Sequence, residues 1–184
     1  MKSRFIKTIF LSALSTIVAF SAVTYTSCTP DKCKSVVCAY GGVCSGGSCI
    51  CQSGYEGTQC EYISRAKFLG VWQVVETGTI TNVSHYSVSI DADTDPSSSV
   101  TNVTISNFYN SITTKVNAYV KGDTLIIPQL TYNGNVIHGY GVIQQEGTIY
   151  AQHAQMSVYY SVTNAQGLVN DFGTEKGSAS IWSK

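Results

Sequence analysis

Six cysteines fall within the 28 residues from Cys33 to Cys60, spaced C-x4-C-x5-C-x4-C-x-C-x8-C. No other feature restricts the fold as tightly. A unit this short cannot bury enough apolar surface to fold by packing alone, so covalent staples must replace a core. Each closing disulfide is worth about 2–4 kcal/mol, chiefly by restricting the unfolded chain. Zinc sites usually show paired C-x2-4-C clusters, but six cysteines in an exported chain fit disulfides better. Disulfides need an oxidising compartment, so the chain is expected to be exported. Six cysteines can pair in many ways, and the spacing does not choose among them.

A seventh cysteine, Cys28, breaks the parity. Before it, Met1–Lys7 carries three positive charges, Thr8–Phe20 is mostly apolar and Ser21–Ser27 is small and polar. That is the layout of a secretory signal. The apolar run, interrupted by Ser12, Ser15 and Thr16, falls short of the roughly 20 residues a membrane span needs. Together with Cys28 it resembles a bacterial lipoprotein signal of the Bacteroidota type, although Tyr25 and Ser27 replace the usual leucine and glycine or alanine. The resemblance implies cleavage before Cys28 and acylation of its thiol by palmitoyl-type chains. It also implies a membrane partner through that anchor and a cell-envelope location, at the outer membrane, facing the periplasm or the surface. The expected organisation is a signal peptide over 1–27, a lipid-anchored spacer over 28–32, the cysteine module over 33–60 and a β domain over 61–184.

The module resembles an EGF-like domain. The matching residues are Cys33, Cys38, Cys44, Cys49, Cys51 and Cys60, with Gly41-Gly42 before the third and Gly54-Tyr55-Glu56-Gly57 before the last. The resemblance implies the pairs Cys33–Cys44, Cys38–Cys49 and Cys51–Cys60. Calcium-binding relatives carry an acidic run before the first cysteine, where this chain has Thr29-Pro30-Asp31-Lys32. Ser45-Gly46-Gly47-Ser48 also lacks the Asp/Asn hydroxylation site. The module is therefore expected to be a bare scaffold that presents the β domain.

From Glu61 onward cysteine disappears and Val, Ile, Thr, Tyr and Ser dominate. Without the leader the chain holds eight basic and eleven acidic residues, and no clustered basic face, which argues against a nucleic-acid partner. Strand-like runs recur between turn signals: Phe68–Thr77, His85–Asp91, Val100–Asn107, Ile112–Val120, Thr124–Ile127, Val136–Gln145, Thr148–Gln152, Met156–Thr163 and Ser178–Ser183. Lys121-Gly122-Asp123 and Asn133-Gly134 signal hairpins, and Pro128 is expected to end pairing. Tyr86, Val88 and Ile90 share one face, as do Val116, Ala118 and Val120, and Met156, Val158, Tyr160 and Val162. Closing such a meander into a barrel hides its edges. The expected fold class is mainly β: a small disulfide-rich module plus an antiparallel, eight-stranded β-barrel.

Gly70-Val71-Trp72 after Lys67-Phe68-Leu69 resembles the Gly-x-Trp motif that opens the first strand of lipocalin-like (calycin) barrels. The resemblance implies that Gly70 and Trp72 start the barrel, with the indole plugging its closed end. Those barrels usually pack a last-strand arginine over the tryptophan, but Arg65 is the only arginine beyond the leader.

Chemistry is less explicit. His85, His138 and His153 show no metal or catalytic spacing. Asp91–Asp95 starts like a calcium loop, yet Pro96 sits where glycine is needed and Asn102 where the closing glutamate belongs. A non-enzymatic protein without metal or cofactor is expected. Twelve tyrosines include Tyr109, Tyr119, Tyr132, Tyr140, Tyr150, Tyr159 and Tyr160 in the β domain; Tyr140, Tyr159 and Tyr160 are the candidate ligand contacts, since each joins an apolar ring to a polar tip. Asp123-Thr124-Leu125 resembles the Bacteroidota O-glycosylation motif. The expected function is a lipid-anchored envelope protein whose EGF-like spacer presents a barrel that binds a small apolar or glycan ligand. The alternative is an adhesion or assembly component docking a protein or glycan partner through the barrel exterior.

Overall fold

The structure, a computed structural model, describes residues 31–145 and 154–184. The leader, Cys28, Tyr150, His153 and the strand expected over Thr148–Gln152 lie outside the described residues.

The first unit is small and stapled. Strands β1 (Val43–Ser45) and β2 (Ser48–Ile50) form a hairpin, and β3 (Tyr55–Glu56) pairs with β4 (Tyr62–Ile63). Three disulfides join Cys33 to Cys44, Cys38 to Cys49 and Cys51 to Cys60. Of the six cysteines only Cys60 is fully buried, so covalent links stand where a core would otherwise be. Tyr55 stacks on Tyr40 with ring centroids 4.5 Å apart.

The second unit is a closed, antiparallel, eight-stranded barrel. Its strands are β5 (Gly70–Glu76), β6 (Ser84–Ala92), β7 (Asn102–Ser106), β8 (Val116–Lys121), β9 (Thr124–Tyr132), β10 (Asn135–Gln145), β11 (Gln155–Thr163) and β13 (Ser180–Ser183). Each pairs with its neighbour in sequence, and β13 closes the ring by bridging β11 to β5. Residues expected to share a face do so: Val116, Ala118 and Val120 point inward, as do Met156, Val158, Tyr160 and Val162.

The interior is filled. Trp72, Trp182, Tyr160, Phe68 and Phe108 are wholly enclosed, consistent with an eight-stranded barrel being just wide enough for its own side chains. A 3-10 turn, Phe108–Asn110, folds inward between β7 and β8 and sends Phe108 against Tyr160 (4.9 Å) and Trp182 (6.1 Å). Tyr160 finds room because it faces Gly139 across the β10–β11 ladder. A Cβ at Gly139 would fall 2.4 Å from the Tyr160 Cβ and 2.3 Å from the Tyr159 carbonyl oxygen.

Two departures from the strand pattern are instructive. Pairing does not end at Pro128; β9 runs on to Tyr132. Ile127 pairs with Gly139 and Leu130 with Ile137, so Pro128 and Gln129 together oppose His138 alone. The bulge absorbs the residue that lacks an N–H. The last strand is also split. β12 (Val169–Phe172) lies on the same edge of β11 as β13. From the Tyr160–Phe172 pair to the Val158–Ser180 pair, β11 moves two residues and its partner eight. The surplus forms a loop wound round Asp171, whose carboxylate accepts hydrogen bonds from the Thr174 N–H and hydroxyl and from the N–H groups of Glu175 and Lys176.

One barrel end is shut by the lead-in to β5. Trp72 donates its indole N–H to the Phe68 carbonyl at 2.7 Å. Gly70, at φ +113, makes the corner that only glycine adopts without strain. Lys184 lies 4.5 Å over the Trp72 ring and donates to the carbonyls of Lys67 and Leu69, so a lysine following β13 sets a cation over the indole. The stapled unit docks on this end. Arg65 donates to the Asn102 carbonyl at 2.8 Å, and Lys67 pairs with Glu56 of β3 and with Asp123 of the β8–β9 turn. Gly54 lies so close to Val100 and Thr101 that a Cβ there would meet the Val100 methyl at 2.6 Å. Among the described residues no helix is long and apolar enough to cross a membrane.

Candidate functional site

At the opposite end of the barrel, a pocket of about 280 Å3 opens between the β5–β6 loop, the Phe108–Asn110 turn and β12. Glu76, Thr81, Ser84, Tyr86, Tyr109, Asn110, Ser111 and Phe172 line it. Its floor follows from the pleat of β5. Trp72, Val74 and Glu76 alternate on the inward face, so the strand that starts with a plug ends with a carboxylate pointing into the barrel.

Glu76 is 5% exposed, and three hydroxyls converge on it. Tyr86 donates to Oε1 at 2.8 Å, while Tyr160 and Ser180 donate to Oε2 at 2.8 and 2.6 Å. Ser180 in turn accepts the Trp182 indole N–H at 2.9 Å, which turns its own proton toward Glu76. Burial, together with the Glu76 charge, pushes the Tyr86 phenol well above its ordinary pKa. Burial likewise raises Tyr160, with Tyr86 and Glu76 adding to the effect. Both phenols therefore stay protonated and act as donors. Ion pairing supplies nothing: among the described residues no cation pairs with Glu76.

The wall is built under backbone strain. Asn107, Tyr109 and Asn110 all have left-handed φ values (59°, 56° and 49°), a cluster that non-glycine residues avoid and that concentrates where ligands are handled. Aromatic packing and Asn170 hold it in place. Tyr109 stands edge-on to Tyr160 and Phe172, and its hydroxyl accepts from the buried Asn170 amide, which also reaches the Thr81 hydroxyl. Gly78 leaves the space for that amide; a Cβ there would lie 2.1 Å from Asn170 Oδ1.

The tyrosines singled out from sequence separate. Tyr160 points inward, stacks on Phe172 at 4.3 Å and serves the Glu76 network beneath the pocket. Tyr140 and Tyr159 lie outside the barrel, paired across β10 and β11 and stacked on each other at 5.1 Å, with Tyr140 exposed. His85 and His138 are exposed and far apart in the ladder order. The Asp91–Asp95 acids are taken up locally: Asp93 accepts from the Asp95 N–H and the Ser98 hydroxyl, and Asp95 from Ser97. Those hydrogen bonds hold both carboxyls below their ordinary pKa. Among the described residues no group of three or more His, Cys, Asp or Glu side chains could hold a metal ion.

Glu76, Asn110 and Phe172 were not anticipated as site residues. Glu76 did leave a trace: an acid in register with Trp72 and Val74 on an otherwise apolar face. No family model matches this chain.

Proposed function

We propose that this chain is a lipid-anchored cell-envelope protein, acylated at Cys28, in which an EGF-like module serves as a foot and a non-enzymatic lipocalin-like barrel presents a small binding pocket. The observation that carries the reading is polarity. The stapled unit docks at the Trp72 end through the Glu56–Lys67 pair and Gly54 against Val100, and the pocket opens at the Glu76 end. A tether just before Cys33 would put the pocket on the side away from the membrane. Two or more acyl chains on Cys28 would anchor the protein stably, each buried CH2 contributing about 0.8 kcal/mol. The filled interior moves the ligand from the lumen to the rim. At about 280 Å3 the pocket suits one small head group or sugar unit rather than a drug-sized molecule.

The exposed Tyr140–Tyr159 stack supports a second reading, in which the barrel exterior docks a protein or glycan during adhesion or assembly. One set of cells tests both anchor and site. In cells expressing the full chain, Cys28→Ala should move the protein from the membrane to the soluble fraction; continued retention overturns the anchor. Amide shifts from a small-molecule screen should cluster at Ser84, Asn110 and Ser111; clustering around Tyr140 and Tyr159 would favour the exterior reading.

A further inference from the structure

We infer that the rim pocket selects an organic cation, an ammonium group, through Glu76. The inference rests on the pocket reading above and specifies what the pocket takes. Its first support is an imbalance of charge. Glu76 is the only charged residue of the lining, is almost wholly enclosed and has no cation beside it among the described residues. Burying an unpaired carboxylate is costly, and hydroxyl donors repay only part of the lost hydration. Three hydroxyls satisfy Glu76 without neutralising it. Ser180 receives the Trp182 N–H and so directs its own proton to Oε2.

Second, the acceptors are uneven. Oε2 takes two hydrogen bonds, while Oε1 takes one, from Tyr86, and is the less screened oxygen for a cation to approach. Third, the remaining walls suit an organic cation better than a metal ion. Tyr86, Tyr109 and Phe172 bring aromatic rings to the opening, and ring faces attract ammonium groups by roughly 0.5–2 kcal/mol each as desolvation increases. Calcium or magnesium would require several more oxygen ligands than one carboxylate provides. Thr81, Ser84, Asn110 and Ser111 supply neutral polar groups at the rim that could hold the rest of an amine-bearing molecule.

The test uses the full folded chain and three defined probes: tetramethylammonium chloride, the neutral and similarly shaped tert-butanol, and methyl glucoside. Tetramethylammonium should produce saturable shifts at Ser84, Asn110 and Ser111, with tert-butanol at least about tenfold weaker. Glu76→Gln should weaken the cation by at least about tenfold. Should that variant fail to fold, Ser84→Lys, at the half-exposed rim beside Glu76, should abolish cation binding by supplying its own charge. Equal binding of tert-butanol would overturn the inference and leave an apolar pocket. Binding of methyl glucoside without tetramethylammonium would overturn it while preserving a glycan-binding pocket. No pocket response to any probe would remove both this inference and the pocket reading.

Discussion

Gly139 illustrates how one missing side chain shapes this barrel. It sits inward on β10 directly opposite Tyr160, and the Tyr159 carbonyl oxygen with the Tyr160 Cα and Cβ occupy the volume a Cβ would need. That vacancy lets Tyr160 lie flat on Phe172 and carry its hydroxyl to Glu76. Gly139→Ala should therefore lower stability by roughly 1–3 kcal/mol, the usual cost of overpacking a filled core. The check is the urea midpoint at unchanged slope, and a shift within error of the parent would mean that Tyr160 can relocate freely. Tyr160 also shows the limit of reasoning from residue type. Its apolar ring and polar tip suggested ligand contact, and so did those of Tyr140 and Tyr159. Only the pleat separates them, because an odd step along β11 sends Tyr159 outside and Tyr160 inside.

Among the elements, the split eighth strand is the least legible in sequence. Ser178–Ser183 was readable as a strand, whereas Val169–Phe172 was not, because it is four residues long and ends at Gly173. What stabilises the interruption is Asp171. Burial alone would raise its pKa, but hydrogen bonds from the Thr174 hydroxyl and the N–H groups of Thr174, Lys176 and Glu175 outweigh that and hold it below the ordinary 3.8. A carboxyl depressed in the folded state stabilises the fold fully above its unfolded value and loses that contribution as pH falls through the folded one. Asp171→Asn should accordingly cost on the order of 1 kcal/mol at pH 7, from the weakened loop hydrogen bonds. The gap between variant and parent should narrow as pH drops below about 3.8. Urea unfolding at pH 7 and pH 3 measures it, and a constant gap would remove the carboxylate from the account. Pro128 is the complementary case. As a residue without an N–H it should terminate pairing, but a bulge shared with Gln129 lets the strand continue to Tyr132.

At the scale of the whole molecule, two kinds of stabilisation are joined end to end. The first unit depends on three disulfides; the barrel has no cysteine and depends on an aromatic-rich core. Reduction should thus loosen residues 33–60, at about 2–4 kcal/mol per bridge, and leave the barrel folded. After dithiothreitol treatment, limited proteolysis should cut within the stapled unit first while the near-ultraviolet circular dichroism from Trp72 and Trp182 persists. Loss of that signal on reduction would show that the docking of Glu56 on Lys67 and Gly54 on Val100 makes one cooperative unit.

The sequence by itself determined local chemistry: six cysteines that need staples, alternating strands that need closure, a Gly-x-Trp start, and an Asp91–Asp95 run broken by Pro96. Each is written in spacing or in period, which a single chain displays directly. The tertiary structure alone decided that the lumen is filled, that Lys184 covers Trp72, and that the stapled unit sits at the end away from the pocket. It also made Glu76 the centre of a site, with partners 10, 84 and 104 residues away in sequence. The physical reason is that barrel closure brings the first strand beside the last, and no local pattern encodes which side chains meet across that seam.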